Sequence, residues 1–209
     1  KADNVSGLLG ETGFREYMDQ QDTPLENGYL LRIGIDHFKE INENFGQEYG
    51  DFVLRKTADC ISGCISERQK VYKLVADEFL ILDISSDEMK DADKLYDKVR
   101  GAIDKFIESN EFKVMYTISG GIVPFAALEG NQYSEALKLT DFALNEAKKL
   151  GRNRCYIYNK ETYQRFLRKR EITQELREAV NNGFQGFTAF YQPVFAEDKK
   201  VPYGAEALM

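Results

Sequence analysis

The sequence has little of what several large classes of protein depend on. It carries one histidine, His37, and three cysteines, Cys60, Cys64 and Cys155. Cys60 and Cys64 are spaced to offer two metal ligands from one helix, yet no second cysteine pair or further histidine exists to complete a tetrahedral zinc set. An odd, unpaired cysteine count provides no disulfide framework and fits a reducing compartment, so a cytoplasmic location is expected. Excess positive charge is missing as well: Lys and Arg total 28 against 35 Asp and Glu, a net charge of −7. Binding a nucleic acid polymer by counterion release needs a broad basic surface, which this balance excludes. A small phosphorylated ligand needs only a few placed Lys, Arg and backbone N–H groups and stays compatible. No apolar run approaches the roughly 20 residues of a membrane-spanning helix, and no membrane contact is expected of this chain. It opens on Lys1 with neither initiator Met nor signal sequence, and is expected to be a piece of a longer protein.

What is present is a globular composition: 209 residues, 43% hydrophobic and 30% charged, enough for one ordinary domain with an appended element. The pattern predicts a helix over 12–18, a polar turn, and a buried strand over 29–35. Leu54, Ala58, Ile61 and Ile65 recur as the stripe of an amphipathic helix over 48–65. Two β-rich runs, Val71 to Leu74 and Phe79 to Ile84, are close enough to form a hairpin with Val75-Ala76-Asp77-Glu78 at its tip. Ala92, Leu95, Val99, Ile103 and Phe106 mark a second helix, Lys113 to Val123 a strand running up to Pro124, and Ala136 to Leu150 a third helix stopped by Gly151. Arg154 to Tyr158 is a further short strand. This order, β-α-β-β-α-β-α-β, mixes a hairpin with helical crossovers and implies an α/β (α+β) domain over 1–158, built on a central mixed, partly antiparallel five-stranded sheet flanked by helices. Residues 159–183 read as a charged helical linker. Residues 184–209 hold two short strand-like runs, Thr188 to Phe195 and Val201 to Ala205, too little to bury a core, and read as the opening of a second domain cut short.

Three polar clusters sit at element ends, where a scaffold holds functional groups. The first runs from Asp36 to Asn42, with Gly50 and Asp51 following. An Asp carboxylate accepts from guanine N1–H and N2–H₂ and an Asn amide donates to O6 or N7, so the pair can read a guanine edge; Asn42 and Asp51 can equally be helix caps. The second is the hairpin tip, where Asp77 and Glu78 are able to ligate Mg²⁺ or are simply turn acids. The third, Asp141, Asn145, Lys148 and Arg152, shares one helical face. That face is either solvated or, through Lys148 and Arg152, reaches a polyphosphate.

Together the clusters resemble a family. "IDHFKEINENFGQEYGD" resembles the pattern DxDxFKxINDxxGHxxGD, "VADEF" resembles GGDEF, and "TDFALNEAKKLGRN" resembles ADxALYxAKxxGRN, in family order and spacing, with "SGGI" at Ser119 to Ile122 matching the strand between the last two. The chain is thus similar to a GGDEF domain, the palm-like diguanylate cyclase fold of bacterial cyclic dimeric GMP signalling. "YQPVF" and "YGAEALM" then resemble the first motifs of an EAL phosphodiesterase domain. The resemblance implies condensation of two GTP by a homodimer, each domain holding one GTP and two Mg²⁺. It implies that Asn42 and Asp51 read guanine, that Lys148 and Arg152 contact phosphate, and that Phe38 and Lys39 form the loop beneath the triphosphate. Asp77 matches a metal-binding acid, Glu78 the active-site acid beside it, and Glu206 a metal-type acid of the EAL part, with Gln192 also retained.

The departures push against turnover. The family's first metal-ligating Asp falls on Gly34, which has no ligand to offer. Asp36 lies on the same side of the strand but about 6–7 Å away by strand rise, and replaces it only if the backbone shifts. The two hairpin glycines are Val75 and Ala76, and a β-branched Val resists positive φ. Gln47, Glu43 and Asn145 replace the usual His, Asp and Tyr. The inhibitory product site RxxD falls on Ser66 and Gln69, so feedback binding is not expected. The EAL segment lacks the further carboxylates and the Lys of that family. The expectation is a degenerate GGDEF domain that binds GTP or otherwise regulates the EAL domain after it. The alternatives are a nucleotide-free interaction or dimerisation module, and an active cyclase.

Overall fold

A computed structural model describes residues 1–86, 88–109, 114–130, 132–197 and 200–208. The chain divides into two compact units, Lys1–Lys160 and Glu161–Met209. The first runs β1 (Leu9–Gly10), α1 (Glu11–Asp19), β2 (Tyr29–Ile35), α2 (Phe38–Phe45), α3 (Gln47–Cys64), β3 (Gln69–Lys73), β4 (Glu78–Asp83), α4 (Met89–Ser109), β5 (Ile118–Pro124), α5 (Gln132–Lys149) and β6 (Cys155–Ile157).

The sheet is mixed, in the order β1-β3-β4-β2-β5-β6. It has six strands where five are expected, because Leu9 and Gly10 pair in parallel with Tyr72 and Lys73. Such a two-residue strand has no periodicity to detect. The hairpin β3–β4 is antiparallel, β2 is antiparallel to both β4 and β5, and β6 is parallel to β5. Lys113, where the sequence starts its fourth strand, lies outside the described residues, and β5 itself begins at Ile118. The helix α2 is a second difference: the polar run after β2 turns through His37 at φ 55° and then winds into two turns of helix.

Strand β2 is apolar except for Arg32 because helices cover both faces of the sheet. Leu31, Ile33 and Ile35 join Val53 and Ile61 of α3 and Tyr96, Val99 and Ile103 of α4 in one continuous core. The opposite face meets α5 and α1, where Phe14 packs 5.5 Å from the ring of Tyr72 and 5.6 Å from that of Tyr133. Helix α5 lies hard against β5: a Cβ on Gly121 would fall 2.3 Å from the backbone nitrogen of Leu144, so only glycine lets the two backbones approach. Period-two alternation therefore puts Arg32 and Gly34 on the α5 face of β2, the face that carries the candidate site.

In the second unit, α6 (Lys160–Asn181) has no buried residue, and β7 (Phe190–Phe195) pairs antiparallel with β8 (Pro202–Leu208), with Gln192 opposite Glu206. Glu206 is exposed. Met209, the last residue of the second EAL-like motif, lies outside the described residues. Among the described residues no helix is long and apolar enough to cross a membrane.

Candidate functional site

The centre of the site is the antiparallel register that sets Gly34 of β2 opposite Glu78 of β4. Arg32, two residues back on the same face, reaches diagonally across: its Nε donates to Glu78 Oε2 at 2.7 Å and its Nη2 lies 2.5 Å from the same oxygen. Its remaining arm donates from Nη1 to the Leu137 carbonyl at 3.2 Å, and Nη2 also faces Asp141 Oδ1 at 3.7 Å. Lys148 comes down from α5 to within 3.8 Å of Glu78 Oε1. A Cβ built on Gly34 would sit 3.2 Å from Leu144 Cδ2 and 3.4 Å from Lys148 Nζ, so the lysine fills the space beside the bare glycine. Glu78 is held by one guanidinium and approached by one ammonium. Arg32 was not singled out in the sequence; the available signal was a lone cation at an even position inside an apolar strand.

The hairpin tip is braced from within. Lys73 is buried, and its Nζ donates to the carbonyls of Leu74 at 2.7 Å and Ala76 at 2.5 Å; burial lowers its pKa. Ala76, not Val75, takes the left-handed conformation, at φ 57°. Val75 is 73% exposed and has no positive φ, which corrects the expectation that a β-branched residue is strained there. Asp77 beside it is partly buried, and burial raises its pKa, with Lys148 the largest opposing influence.

Asp36 is committed to structure. It is 3% exposed; Oδ1 accepts from Ser119 Oγ at 2.6 Å, and Oδ2 accepts from Thr117 Oγ1 at 2.7 Å and from the Asn153 N–H at 3.0 Å. It pins the turn after α5, where Gly151, Arg152 and Asn153 all have positive φ. Its carboxylate is not free to replace the one absent at Gly34. Arg152 thus lies beyond the end of α5 rather than on the helical face with Asp141, Asn145 and Lys148, and is exposed.

Asn42 and Asp51 cap nothing: Asn42 lies within α2 and Asp51 within α3. A Cβ on Gly50 would fall 1.8 Å from Asn42 Oδ1 and 3.3 Å from Phe38 Cζ, so the missing side chain at 50 is the seat of the Asn42 amide. That Oδ1 is buried without a hydrogen-bond partner, an unsatisfied group of the kind that folding alone does not favour. Lys39 is exposed and pairs with Glu43 at 3.5 Å. The first N–H groups of α2, at Phe38 and Lys39, precede its first intrahelical bond, from Ile41 to His37. Ser66 and Gln69, at the product-site positions, bond to each other (Ser66 N–H to Gln69 Oε1, 2.9 Å), while Gln69 Nε2 donates to Asp83.

Mg²⁺ does not fit this arrangement. It requires near-octahedral oxygen ligands, and here Gly34 offers none, Asp36 is saturated and Glu78 is paired with Arg32, which leaves Asp77 as a single carboxylate facing Lys148 and Lys73. Among the described residues no group of three or more His, Cys, Asp or Glu is placed to hold a metal ion. Burial pushes the Cys60 thiol of α3 up to about 11 and raises that of Cys64. A separate cleft of about 610 Å³, bordered by Glu40, Phe45, Asp104, Glu108 and Met115, shares none of the predicted nucleotide contacts.

The family profile described as "Diguanylate cyclase, GGDEF domain" matches residues 1–154. The chain belongs to the GGDEF family. It is 27% identical over 215 residues to the cyclic di-GMP phosphodiesterase NbdA of Pseudomonas aeruginosa, covering 99% of this chain and 26% of that protein. It is 28% identical over 156 residues to the diguanylate cyclase VdcA of Vibrio cholerae, covering 73% of this chain and 45% of that protein. The chain therefore spans about a quarter to a half of these relatives. Among solved structures, the GGDEF domain of DgcB from Caulobacter crescentus in complex with c-di-GMP superposes with a TM-score of 0.65 at 22% identity, over 75% of this chain and 94% of that one. The palm-like α/β fold is thus shown. This GGDEF domain shares its family with cyclic di-GMP signalling proteins.

Proposed function

We propose that this GGDEF domain is a GTP-binding regulatory module that makes no cyclic dimeric GMP and controls an EAL phosphodiesterase domain following it. In this reading residues 1–158 are the GGDEF domain, 159–183 the helical linker and 184–209 the opening of the EAL domain, to which Gln192 and Glu206 belong. The observation that carries it is the contrast between the two ends of the site. At the base end, Gly50 keeps room for the Asn42 amide, and Asn42 with Asp51 offers a donor and acceptors that suit guanine. At the phosphate end, Lys148 supplies a cation beside Gly34 and Arg152 lies in the turn that Asp36 pins, while Glu78 is neutralised by Arg32 and Gly34 carries no carboxylate. Binding is supported and metal-assisted attack of a 3′-hydroxyl is not. A homodimer, which condensation of two GTP requires, is unnecessary for this role. The test is calorimetric titration with GTP, GDP and ATP, together with an assay for cyclic dimeric GMP. GTP is expected to bind without product. It should be preferred over ATP by about tenfold or more, because unpaired polar groups cost about 1–3 kcal/mol each. Asp51→Ala should abolish that preference, whereas Lys148→Ala and Arg152→Ala should weaken both nucleotides. Equal affinity for GTP and ATP in the wild type would remove the guanine-reading role, and product at rates on the order of 1 s⁻¹ would show a living cyclase.

A further inference from the structure

We infer that Arg32 and Lys148 replace the family's metal ions as the fixed positive charge of the phosphate site, so that this domain takes its nucleotide as a metal-free polyphosphate. The inference rests on the GTP-binding reading and specifies its ligand. A polyphosphate cannot approach a pair of bare carboxylates; either bound metal ions or side-chain cations must first cancel them. Here the cancellation is built in. Arg32 places two of its N–H donors on one oxygen of Glu78 and a third on the Leu137 carbonyl. Its side chain is only 13% exposed, so it is a permanent counter-ion. A guanidinium keeps its charge throughout the accessible pH range.

Lys148 has the complementary character. It stands 3.8 Å from Glu78, is 25% exposed, and occupies the room vacated at Gly34. With Glu78 already neutralised by Arg32, phosphate oxygens can draw the Lys148 ammonium away and leave only Asp77 without it, an acid that the buried Lys73 also faces. Asp141, a further acid in the network, is met by Arg32 at 3.7 Å. Monovalent hydrogen-bonding cations hold phosphates but do not lower the pKa of a hydroxyl as a bound metal does, so the same substitution that permits binding withholds turnover.

The experiment is equilibrium titration of the whole chain with a fluorescent GTP analogue in Mg²⁺ and in EDTA. It is run on the wild type, Arg32→Met and the double variant Arg32→Met/Glu78→Gln, with Mn²⁺ binding to the nucleotide-free protein followed by electron paramagnetic resonance. The wild type should bind equally well in both media and take up no Mn²⁺. Arg32→Met exposes the Glu78 charge and should lose about tenfold or more in EDTA, recovering when Mg²⁺ is added. The double variant removes both charges and should again be indifferent to metal. Because removing both partners of a buried pair is far gentler than removing one, it keeps the comparison available if Arg32→Met fails to fold. Wild-type binding that appears only with Mg²⁺, Mn²⁺ held by the nucleotide-free wild type, or a double variant that still needs Mg²⁺ would each overturn the inference and leave GTP binding standing. No binding in either medium would overturn the GTP-binding reading itself, and this inference with it.

Discussion

At the scale of single residues the site is decided by Gly34 and the side chain that fills its space. Replacing Gly34 with Asp alone is expected to leave the domain without cyclase activity. The new Cβ would arrive 3.4 Å from Lys148 Nζ and 3.2 Å from Leu144 Cδ2, so the restored carboxylate pairs with the lysine while Glu78 stays on Arg32. The measurement is cyclic dimeric GMP formation by Gly34→Asp in GTP with Mg²⁺ or Mn²⁺. Detectable turnover from this single change would mean that the Arg32–Glu78 pair opens readily. The reason is electrostatic and local, and it supersedes an argument from Val75, whose side chain stands in solvent.

Two elements make the hairpin and the loop after α5 worth separate tests. At the tip of β3–β4, Ala76 holds a left-handed conformation that costs a non-glycine residue about 1–2 kcal/mol. The two Lys73 bonds, to Leu74 and Ala76, offset that cost. Ala76→Gly should therefore stabilise the domain by about 1 kcal/mol and raise its melting temperature by roughly 2–4 °C, with no gain of cyclase activity. A lower melting temperature would show that the tip is not strained. Between β2 and the turn after α5, Asp36 accepts three hydrogen bonds. Asp36→Ala strands the buried Ser119 hydroxyl and releases Asn153, and should cost about 3 kcal/mol or more in urea denaturation. A loss below about 1 kcal/mol, the worth of one ordinary hydrogen bond, would return Asp36 to the candidates for a ligand.

For the first unit as a whole, a buried acid, Asp83, and a partly buried one, Asp77, give stability opposite pH dependences. Burial by itself would raise the pKa of Asp83. The hydrogen bonds from Ser85, Gln69 and Tyr29 outweigh it and hold the carboxyl below its ordinary 3.8. Its contribution is therefore present above that value and lost as pH falls through the depressed one. Asp77 is raised by burial, so its proton is favoured by the fold, and its contribution is lost as pH rises from 3.8 through the raised value. Urea denaturation across pH should show Asp83→Asn less stable at neutral pH and flatter below about pH 4. Asp77→Asn should be more stable than wild type at neutral pH. The opposite order for the two variants at neutral pH would refute both assignments.

The sequence by itself determined the element types of the first unit, because apolar alternation and helical stripes are local consequences of which face is buried. The strand over 29–35 and the helices ending at Gly151 and near Ile65 lie where periodicity put them. It also determined the family, since ordered motifs survive as residue types. It did not disclose β1, too short to have a period, or α2, whose polar run looked like a strand end. Only the tertiary structure decided the state of the site. Arg32 and Glu78 are remote in sequence, and what joins them is the register of β2 on β4, set by the packing of both faces of the sheet. The descent of Lys148 beside Gly34 follows from the close approach of α5 to β5 that Gly121 permits. Asp36 is a spare carboxylate in the sequence and a saturated one in the fold, because the three donors that claim it come from β5, from the segment before it and from the turn beyond α5. Which charges cancel depends on distances through space, and a linear pattern contains residue types but not those distances.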